Sequence, residues 1–163
     1  MAMTLVSTVT VGSGGAASIQ FDNIAQTGKD LLILTSARSA SGGAWEITGT
    51  INSSGGTNRN LEGTGSSVSS TSASRLLFGY FTGATDTAST FGNSMAYISN
   101  YTSSLAKSIS ADGVSENNAT AAYQQISASS TTSTAAVTSI TLTLRGTSIN
   151  FAEFSTASLY IIS

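Results

Sequence analysis

The feature that most constrains the fold of this chain is a two-residue alternation of apolar and polar side chains in short segments. The segment AWEITGTI places Trp45, Ile47 and Ile51 on one side and polar residues on the other. The segment ITLTL, which ends at Leu144, alternates in the same way. Successive side chains of a β-strand point to opposite faces of a sheet, so this period predicts strands. We expect about ten short strands and interpret Trp45 as a core residue.

Two further apolar segments, together with the turns between strands, indicate the fold class. DLLILTSAR (30–38) and RLLFGYF (75–81) are apolar on both sides, which is typical of central strands covered on both faces. Clusters rich in Gly, Ser and Asn predict turns, among them 111–118, and we interpret the Ser/Thr-rich stretch 127–135 as a long loop. The best helix candidate, 115–127, is weaker than the strand interpretation. The pattern predicts an all-β fold, an antiparallel β-sandwich that is jelly-roll-like.

The length of the chain, 163 residues, fits one domain. We expect a single β-sandwich over residues 16–163, preceded by an N-terminal arm or first strand over 1–15. Because this segment ends in a Gly-Ser stretch (12–15), we hypothesise that it adds a strand to a neighbouring subunit. Residues 1–15 lack the pattern of a secretory signal, and no run of 18 apolar residues predicts a membrane span.

The composition is poor in charge. Only 9% of the residues are charged and the formal net charge is −2, while serine and threonine make up about a third of the chain, well above ordinary usage. The six basic residues are scattered singly along the sequence, which argues against nucleic acid as a partner. A nearly neutral surface tends to associate, so this composition is typical of a protein that neighbouring molecules cover.

The sequence lacks two of the residue types that catalysis and metal binding most often require. There is no His and no Cys, which removes the usual nucleophile–base pairs and thiolate zinc sites. A Ser–Lys pair with Lys29 or Lys107 is the alternative that remains. Asp112, Glu116 and Asn117 offer oxygen ligands for calcium, but their spacing departs from a calcium loop and favours a turn. We therefore predict no enzyme activity, catalytic residue, metal or cofactor.

Aromatic rings are the remaining candidates for ligand contact. Tyr80 and Tyr101 lie near predicted strand ends, where an exposed ring would contact a sugar or a protein partner. Asn52, Asn100 and Asn118 each begin an N-x-Ser/Thr glycosylation triplet. We interpret these triplets as a consequence of the high Ser/Thr content.

Several stretches together resemble a family of small all-β structural proteins of tailed bacteriophages, especially phages of cyanobacteria and other aquatic bacteria. The matching segments are 17–39 (ASIQFDNIAQTGKDLLILTSARS), 61–70 (LEGTGSSVSS), 87–110 (TASTFGNSMAYISNYTSSLAKSIS), 114–122 (VSENNATAA) and the closing pattern AAVTSITLTL…NFAEFSTASLYII. Family members usually carry IPNY where this chain has Ile98-Ser99-Asn100-Tyr101, and IPQT where it has Ile24-Ala25-Gln26-Thr27. In both places this chain lacks the proline.

The resemblance implies a jelly-roll-like virion protein. We expect a capsid decoration (cement) protein, a homotrimer on the capsid exterior, which is assembled in the host cytoplasm and binds and stabilises the lattice of the major capsid protein. The alternative is a tail or tail-fibre component that binds host surface glycans, because jelly-roll folds also serve lectins. Tyr101 is the residue on which that alternative would be tested.

Overall fold

Two antiparallel β-sheets make up the fold in the computed structural model, which describes residues 2–43, 45–116, 122–146 and 148–163. These residues contain twelve strands and no helix, so the expectation of an all-β antiparallel sandwich is confirmed. The strands are β1 (Met3–Thr10), β2 (Ser18–Phe21), β3 (Asp30–Ala37), β4 (Trp45–Ile51), β5 (Gly56–Gly63), β6 (Val68–Ala73), β7 (Leu76–Phe81), β8 (Gly92–Ile98), β9 (Ser108–Glu116), β10 (Ala122–Thr131), β11 (Ile140–Leu144) and β12 (Thr156–Ile162).

The strand order is that of a jelly roll with an addition. The large sheet has the order β1-β12-β3-β8-β9-β10-β5-β6 and the small sheet has the order β2-β11-β4-β7. If β5, β6, β9 and β10 are set aside, two four-stranded sheets remain, β1-β12-β3-β8 and β2-β11-β4-β7, with the connections of a jelly roll. The other four strands continue the large sheet beyond β8, and we call them the extension.

The apolar core lies between the two sheets and follows the predicted alternation. Its side chains include Ile19, Ile33, Ile47, Leu142, Phe151 and Leu159. Strand β7 is buried along its whole length, as its two-sided apolar sequence predicts. Strand β3 differs from its prediction, because Leu34 is exposed and Leu32 is only half-buried on the side that faces away from the small sheet.

The extension is where the sequence-based prediction is wrong. Residues 111–116, predicted as part of a turn, belong to β9, and most of the predicted loop 127–135 belongs to β10. The helix candidate 115–127 is also wrong where it is described, because its two ends are strand; residues 117–121 lie outside the described residues. Strands β5 and β6 were not predicted, whereas the predicted strand 149–154 makes only single bridges through Phe151.

Small inward-facing residues explain why the extension is hard to recognise. Gly113 on β9 comes so close to β7 that a Cβ atom there would lie 2.6 Å from the backbone nitrogen of Tyr80. On β10, the buried Ser129 hydroxyl accepts a hydrogen bond of 3.1 Å from the Leu77 N–H. Because glycine and serine replace the usual apolar residues at inward positions, the alternation that identifies a strand is missing.

The two edges of the large sheet are formed by β1 and β6. The N-terminal segment pairs with the chain's own last strand, from Met3 opposite Ile162 to Thr10 opposite Thr156. It is therefore a first strand within this subunit. The outer edges of β1 and β6 have no neighbouring strand in the sheet, and both strands are largely exposed.

Candidate functional site

The outer surface of the large sheet carries a band of apolar side chains. Strand register places Leu34 beside Met95, and Ile126 of the extension beside Leu61. We call this surface the outer plane and define it by Leu5, Leu32, Leu34, Leu61, Met95, Tyr97, Val114, Ile126 and Tyr160. Its exposed members keep between 36% and 66% of their surface accessible. The band crosses both the jelly-roll strands and the extension.

Few charges interrupt the outer plane. Within its rows, Asp112 stands opposite Met95, and Arg59 stands opposite Ala128. Eight strands about 4.8 Å apart make the surface roughly 34 Å wide. Exposed apolar side chains that lie next to one another across several strands are typical of an interaction site.

A carboxylate lies at the margin of the outer plane. The Asp30 carboxylate accepts hydrogen bonds from the Tyr97 hydroxyl at 2.6 Å and from the Asn100 N–H at 2.8 Å. Burial opposes ionisation of Asp30, but these two donors and the positive charge of Lys29 outweigh it, so the pKa of Asp30 is lowered from 3.8. The same hydrogen bond, with a smaller contribution from burial, raises the pKa of Tyr97.

The outer surface of the small sheet has a different character. Its outward positions are threonines, with Thr143 opposite Thr48 and Thr141 opposite Thr50. The hydroxyls of Thr48 and Thr143 are hydrogen-bonded to each other at 3.1 Å. Threonine suits a strand because its β-branched side chain fits a pleated surface, and here it gives that surface a row of hydroxyl groups.

Two arginines and one glutamate meet at the end of this threonine surface. The buried Glu46 carboxylate accepts hydrogen bonds from Arg75 Nε at 2.9 Å and from Arg145 Nη1 at 3.0 Å. Arg75 Nη2 also donates to Glu46 Oε1 at 3.2 Å. Two of the six basic residues that are scattered in the sequence are thus brought together around one carboxylate, and the three side chains join β4, the start of β7 and the end of β11.

Trp45 belongs to this cluster and not to the core. The interpretation of Trp45 as a core residue is wrong, because its side chain is 41% exposed. It is the first residue of β4, at the end of the sheet, and the Arg145 guanidinium lies 3.9 Å from the ring centre. A cation over an indole face is attracted by the ring quadrupole, so Trp45 holds Arg145 in place.

A cleft opens beside this cluster with a volume of about 620 Å³. Its floor is the threonine surface, with Thr48, Thr50, Thr141 and Thr143. Arg75, Arg145 and residues 146 and 148–150 also line it. The cleft therefore combines hydroxyl groups with two guanidinium groups.

Tyr80 and Tyr101 do not form an exposed site. The expectation of an exposed ring is wrong for both, since Tyr101 is 0% and Tyr80 2% exposed. The Tyr101 hydroxyl donates to the Ala25 carbonyl and accepts from the Gly28 N–H at 3.2 Å, which ties the 24–28 turn to the sheet.

Tyr80 is covered by the extension. Its ring stacks on Tyr123 with 5.3 Å between ring centres, and its hydroxyl donates to Glu62 at 3.3 Å. Burial first, and then the negative charge of Glu62, raise the pKa of the Tyr80 hydroxyl. Neither Tyr80 nor Tyr101 presents a ring at the surface for a sugar.

Lys107 is buried, and its ammonium group is hydrogen-bonded to the backbone of two loops. It is almost fully buried, and its ammonium group donates to backbone carbonyls of Ser103 at 2.8 Å, Ala135 at 3.2 Å, and also Leu105 and Thr134. Burial lowers the pKa of Lys107. Its bonding partners are carbonyl oxygens rather than a serine hydroxyl, so the geometry assigns it to holding two loops together.

The side chain of Asn52, the first residue of a glycosylation triplet, is hydrogen-bonded within the fold. The Asn52 side chain donates to the Ala136 carbonyl at 2.7 Å and accepts from the Thr138 N–H at 2.9 Å. A glycan on this amide nitrogen would displace the first of these bonds. Asn118 lies outside the described residues.

No metal cluster is found within the described ranges, where three or more His, Cys, Asp or Glu side chains nowhere come together to hold an ion. Asp112 and Glu116 are exposed on β9, and Asn117 lies outside the described residues. In the same part of the chain, no helix has the length and apolar character that crossing a membrane requires. Comparisons of the sequence and of the fold found no matching family model, curated protein or solved structure.

The cleft and the outer plane are the features that sequence reasoning missed. The charged cluster joins residues separated by 29 and 99 positions, a distance over which a single sequence gives no spacing rule. The one local signal is Glu46, a charged residue on the polar side of an otherwise Thr-rich strand. The outer plane had a signal in the two-sided apolar sequence of β3, which was interpreted as burial by the chain itself.

Proposed function

We propose that this chain is a phage virion structural protein, a capsid decoration (cement) protein that binds and stabilises the major capsid protein lattice. The observation that carries the proposal is the outer plane, a wide apolar surface with little charge. The phage context comes from the sequence resemblance, which covers nearly the whole chain from about residue 16. On this proposal the protein lies on the capsid exterior.

The size of the outer plane supports a stable contact. Strands of eight residues are about 25 Å long, so the whole outer face of the large sheet, of which the outer plane is a part, measures roughly 34 Å by 25 Å, on the order of 800 Å². Each partner of a standard protein interface contributes about that area. Because the surface carries few charges, covering it removes few ionic groups from water and leaves little desolvation to offset the apolar gain.

The two free edges support self-association as part of the same proposal. Strands β1 and β6 lie at opposite ends of the large sheet, and neither outer edge is paired by a strand from the described residues. Pairing of β1 in one copy with β6 in the next is a head-to-tail contact, and such contacts form a ring when the rotation between successive copies closes. A ring of three copies corresponds to the trimer that we expect.

A tail or tail-fibre role in host glycan binding is the second candidate. It no longer has Tyr101 as its contact, because that ring is buried. The observation that favours it is the cleft on the small sheet, where hydroxyl groups, guanidinium groups and a half-exposed tryptophan lie together.

The number of copies per particle distinguishes the capsid decoration role from the tail or tail-fibre role. Quantitative mass spectrometry of purified particles should find this chain in numbers comparable to the major capsid protein, at least one copy for every few capsid subunits. A content of a few copies or a few tens per particle would support the tail or fibre role. Absence from purified particles would overturn both.

A further inference from the structure

We infer that the cleft on the small sheet binds an acidic saccharide, a sugar that carries a carboxylate. In this assignment Arg75 and Arg145 hold the carboxylate, and the threonine floor hydrogen-bonds the sugar hydroxyls. The inference rests on the second candidate function, host glycan binding. It is tested on the purified protein, by a ligand titration that does not use particles.

The charge of the cluster is the first argument. Two guanidinium groups share one carboxylate, because Glu46 Oε2 lies 2.9 Å from Arg75 Nη2 and 3.0 Å from Arg145 Nη1. The cluster therefore carries one unbalanced positive charge. Both arginines line the cleft, with 26% and 34% of their side chains exposed. An anion that enters the cleft meets this charge where water is partly excluded.

Some N–H groups of the two arginines are not used in binding Glu46. Arg75 uses Nε and Nη2 on Glu46, and Arg145 uses Nη1. Arg75 Nη1 and Arg145 Nη2 have no acceptor among the residues that the structure describes. A guanidinium presents its N–H groups in a fixed fork that matches a carboxylate, so these remaining donors suit a carboxylate ligand.

The arginines are also held in place before any ligand arrives. Glu46 fixes both from one side, and Trp45 lies under the Arg145 guanidinium at 3.9 Å. One arginine would be enough to neutralise Glu46 and join two strands. The second arginine adds positive charge to the rim of an open cleft, and its pre-organised position reduces the ordering cost of binding.

The floor of the cleft selects a hydroxyl-rich ligand. Thr50 and Thr141 are direct partners on β4 and β11 and line the cleft together. Ser148 and Asn150 add polar groups to its lining. The volume of about 620 Å³ lies within the range of sites that hold small ligands. Hydroxyl and amide groups pair with sugar hydroxyls, whereas a simple inorganic anion would leave them without a partner.

The single tryptophan of the chain reports on this site. Trp45 is the only Trp among 163 residues, and it touches an arginine of the cleft, so its fluorescence should change when a ligand binds. The probe is trigalacturonate, with neutral trigalactose and sodium sulfate as matched comparisons at equal ionic strength. We expect a saturable change with trigalacturonate, weakened by added salt, and none with trigalactose.

Two results of this titration would overturn the inference. A change of equal affinity with trigalactose would remove the role of the arginines. A change of equal affinity with sulfate would identify a general anion site and exclude the saccharide. Neither result affects the particle copy number, so failure here is distinct from failure of the lattice role.

Substitutions test the arginines and the threonine floor of the cleft separately. Arg145→Gln should weaken trigalacturonate binding at least about tenfold, whereas Arg59→Gln on the outer plane should leave it unchanged. Because loss of an arginine also disturbs Glu46, the pair Thr50→Val and Thr141→Val tests the floor with the charged cluster intact. We expect about threefold to tenfold weaker binding in this pair. Unchanged affinity in either test would contradict the assignment.

Discussion

The outer surfaces of the two sheets differ, although the same two-residue alternation builds both. On the large sheet the outward positions are Leu34, Met95 and Ile126, without a covering layer. On the small sheet they are threonines beside a cluster of charged side chains. The first surface resembles half of a protein interface, and the second resembles an open ligand site. On our proposal, the large sheet is the side that neighbouring molecules cover.

The largest effect on stability is expected from the small sheet. Glu46→Ala leaves Arg75 and Arg145 close together without their counter-ion, so the free energy of unfolding should fall by about 3 kcal/mol. Urea unfolding measures this change. The control is Asp112→Ala on the outer plane, which should change the free energy of unfolding by less than about 0.5 kcal/mol. Equal effects of the two substitutions would remove the distinction between the surfaces.

The next effect concerns assembly and belongs to the large sheet. The double variant Leu34→Glu and Met95→Glu places two charges in the outer plane and should weaken binding to capsid shells at least about tenfold. Its unfolding free energy should change by about 1 kcal/mol or less, because both side chains are partly exposed already. A binding assay on shells stripped of the protein measures the loss.

The matched control places the same charges on the other surface. Ser18→Glu and Gln20→Glu add two carboxylates to outward positions of β2 in the small sheet. We expect this variant to bind shells as the unmodified protein does. If it loses binding as strongly as the first variant, the outer plane is not the contact surface.

A smaller effect is expected at the margin of the outer plane, where pH should act through Asp30. The pKa of this carboxyl is lowered in the folded state relative to 3.8. Its stabilising contribution is therefore fully present above about pH 4 and is lost as pH falls through the lowered pKa. Thermal melts from pH 7 to pH 3 should show that Asp30→Asn lowers the melting temperature at neutral pH. The gap should close as the pH falls below 4.

The Tyr97 hydroxyl gives an internal check on that prediction. Tyr97→Phe removes one of the two donors to Asp30 and should reproduce part of the acid dependence. A gap between Asp30→Asn and the unmodified protein that stays constant from pH 7 to pH 3 would show that the carboxylate charge does not contribute.

The smallest effect is expected from Thr48→Val. The Thr48 hydroxyl bonds Thr143 at a half-buried position, and valine keeps the β-branched shape, so the unfolding free energy should change by about 0.5 kcal/mol or less. Urea unfolding measures it. A loss above about 1.5 kcal/mol would show that the hydroxyl layer stabilises the small sheet, contrary to its role here as a ligand surface.

The sequence predicts the jelly-roll strands well and the extension poorly, for one physical reason. Strands β4 and β11 pack against an apolar core, so their inward residues are Ile and Leu and the alternation is visible. Strand β10 packs its inward face with Ser127, Ser129 and Gln125, because β7 lies close against it. A strand whose inward face is polar lacks the apolar-inside alternation by which the sequence identifies strands.

The candidate sites could be predicted only in part. The apolar segment around Leu34 is visible in the sequence, but the alternation does not show whether a second layer covers the side that faces away from the small sheet, where Leu34 is exposed. The joining of Glu46 with Arg75 and Arg145 depends on the order of β7, β4 and β11, which alternation does not determine. Leu34 was predicted to be buried and is exposed, whereas Tyr101 was predicted to be exposed and is buried, because a turn folds over its ring.

Oxidative footprinting of intact particles tests the central claim most directly, because each surface carries a readily oxidised side chain that reports on it. Met95 lies on the outer plane and is 45% exposed, and Trp45 lies beside the cleft and is 41% exposed. In the free protein both should be oxidised by hydroxyl radicals. In particles, this account predicts that Met95 is protected at least about tenfold while Trp45 remains reactive. Met95 oxidation at the same rate in particles as in the free protein would contradict it.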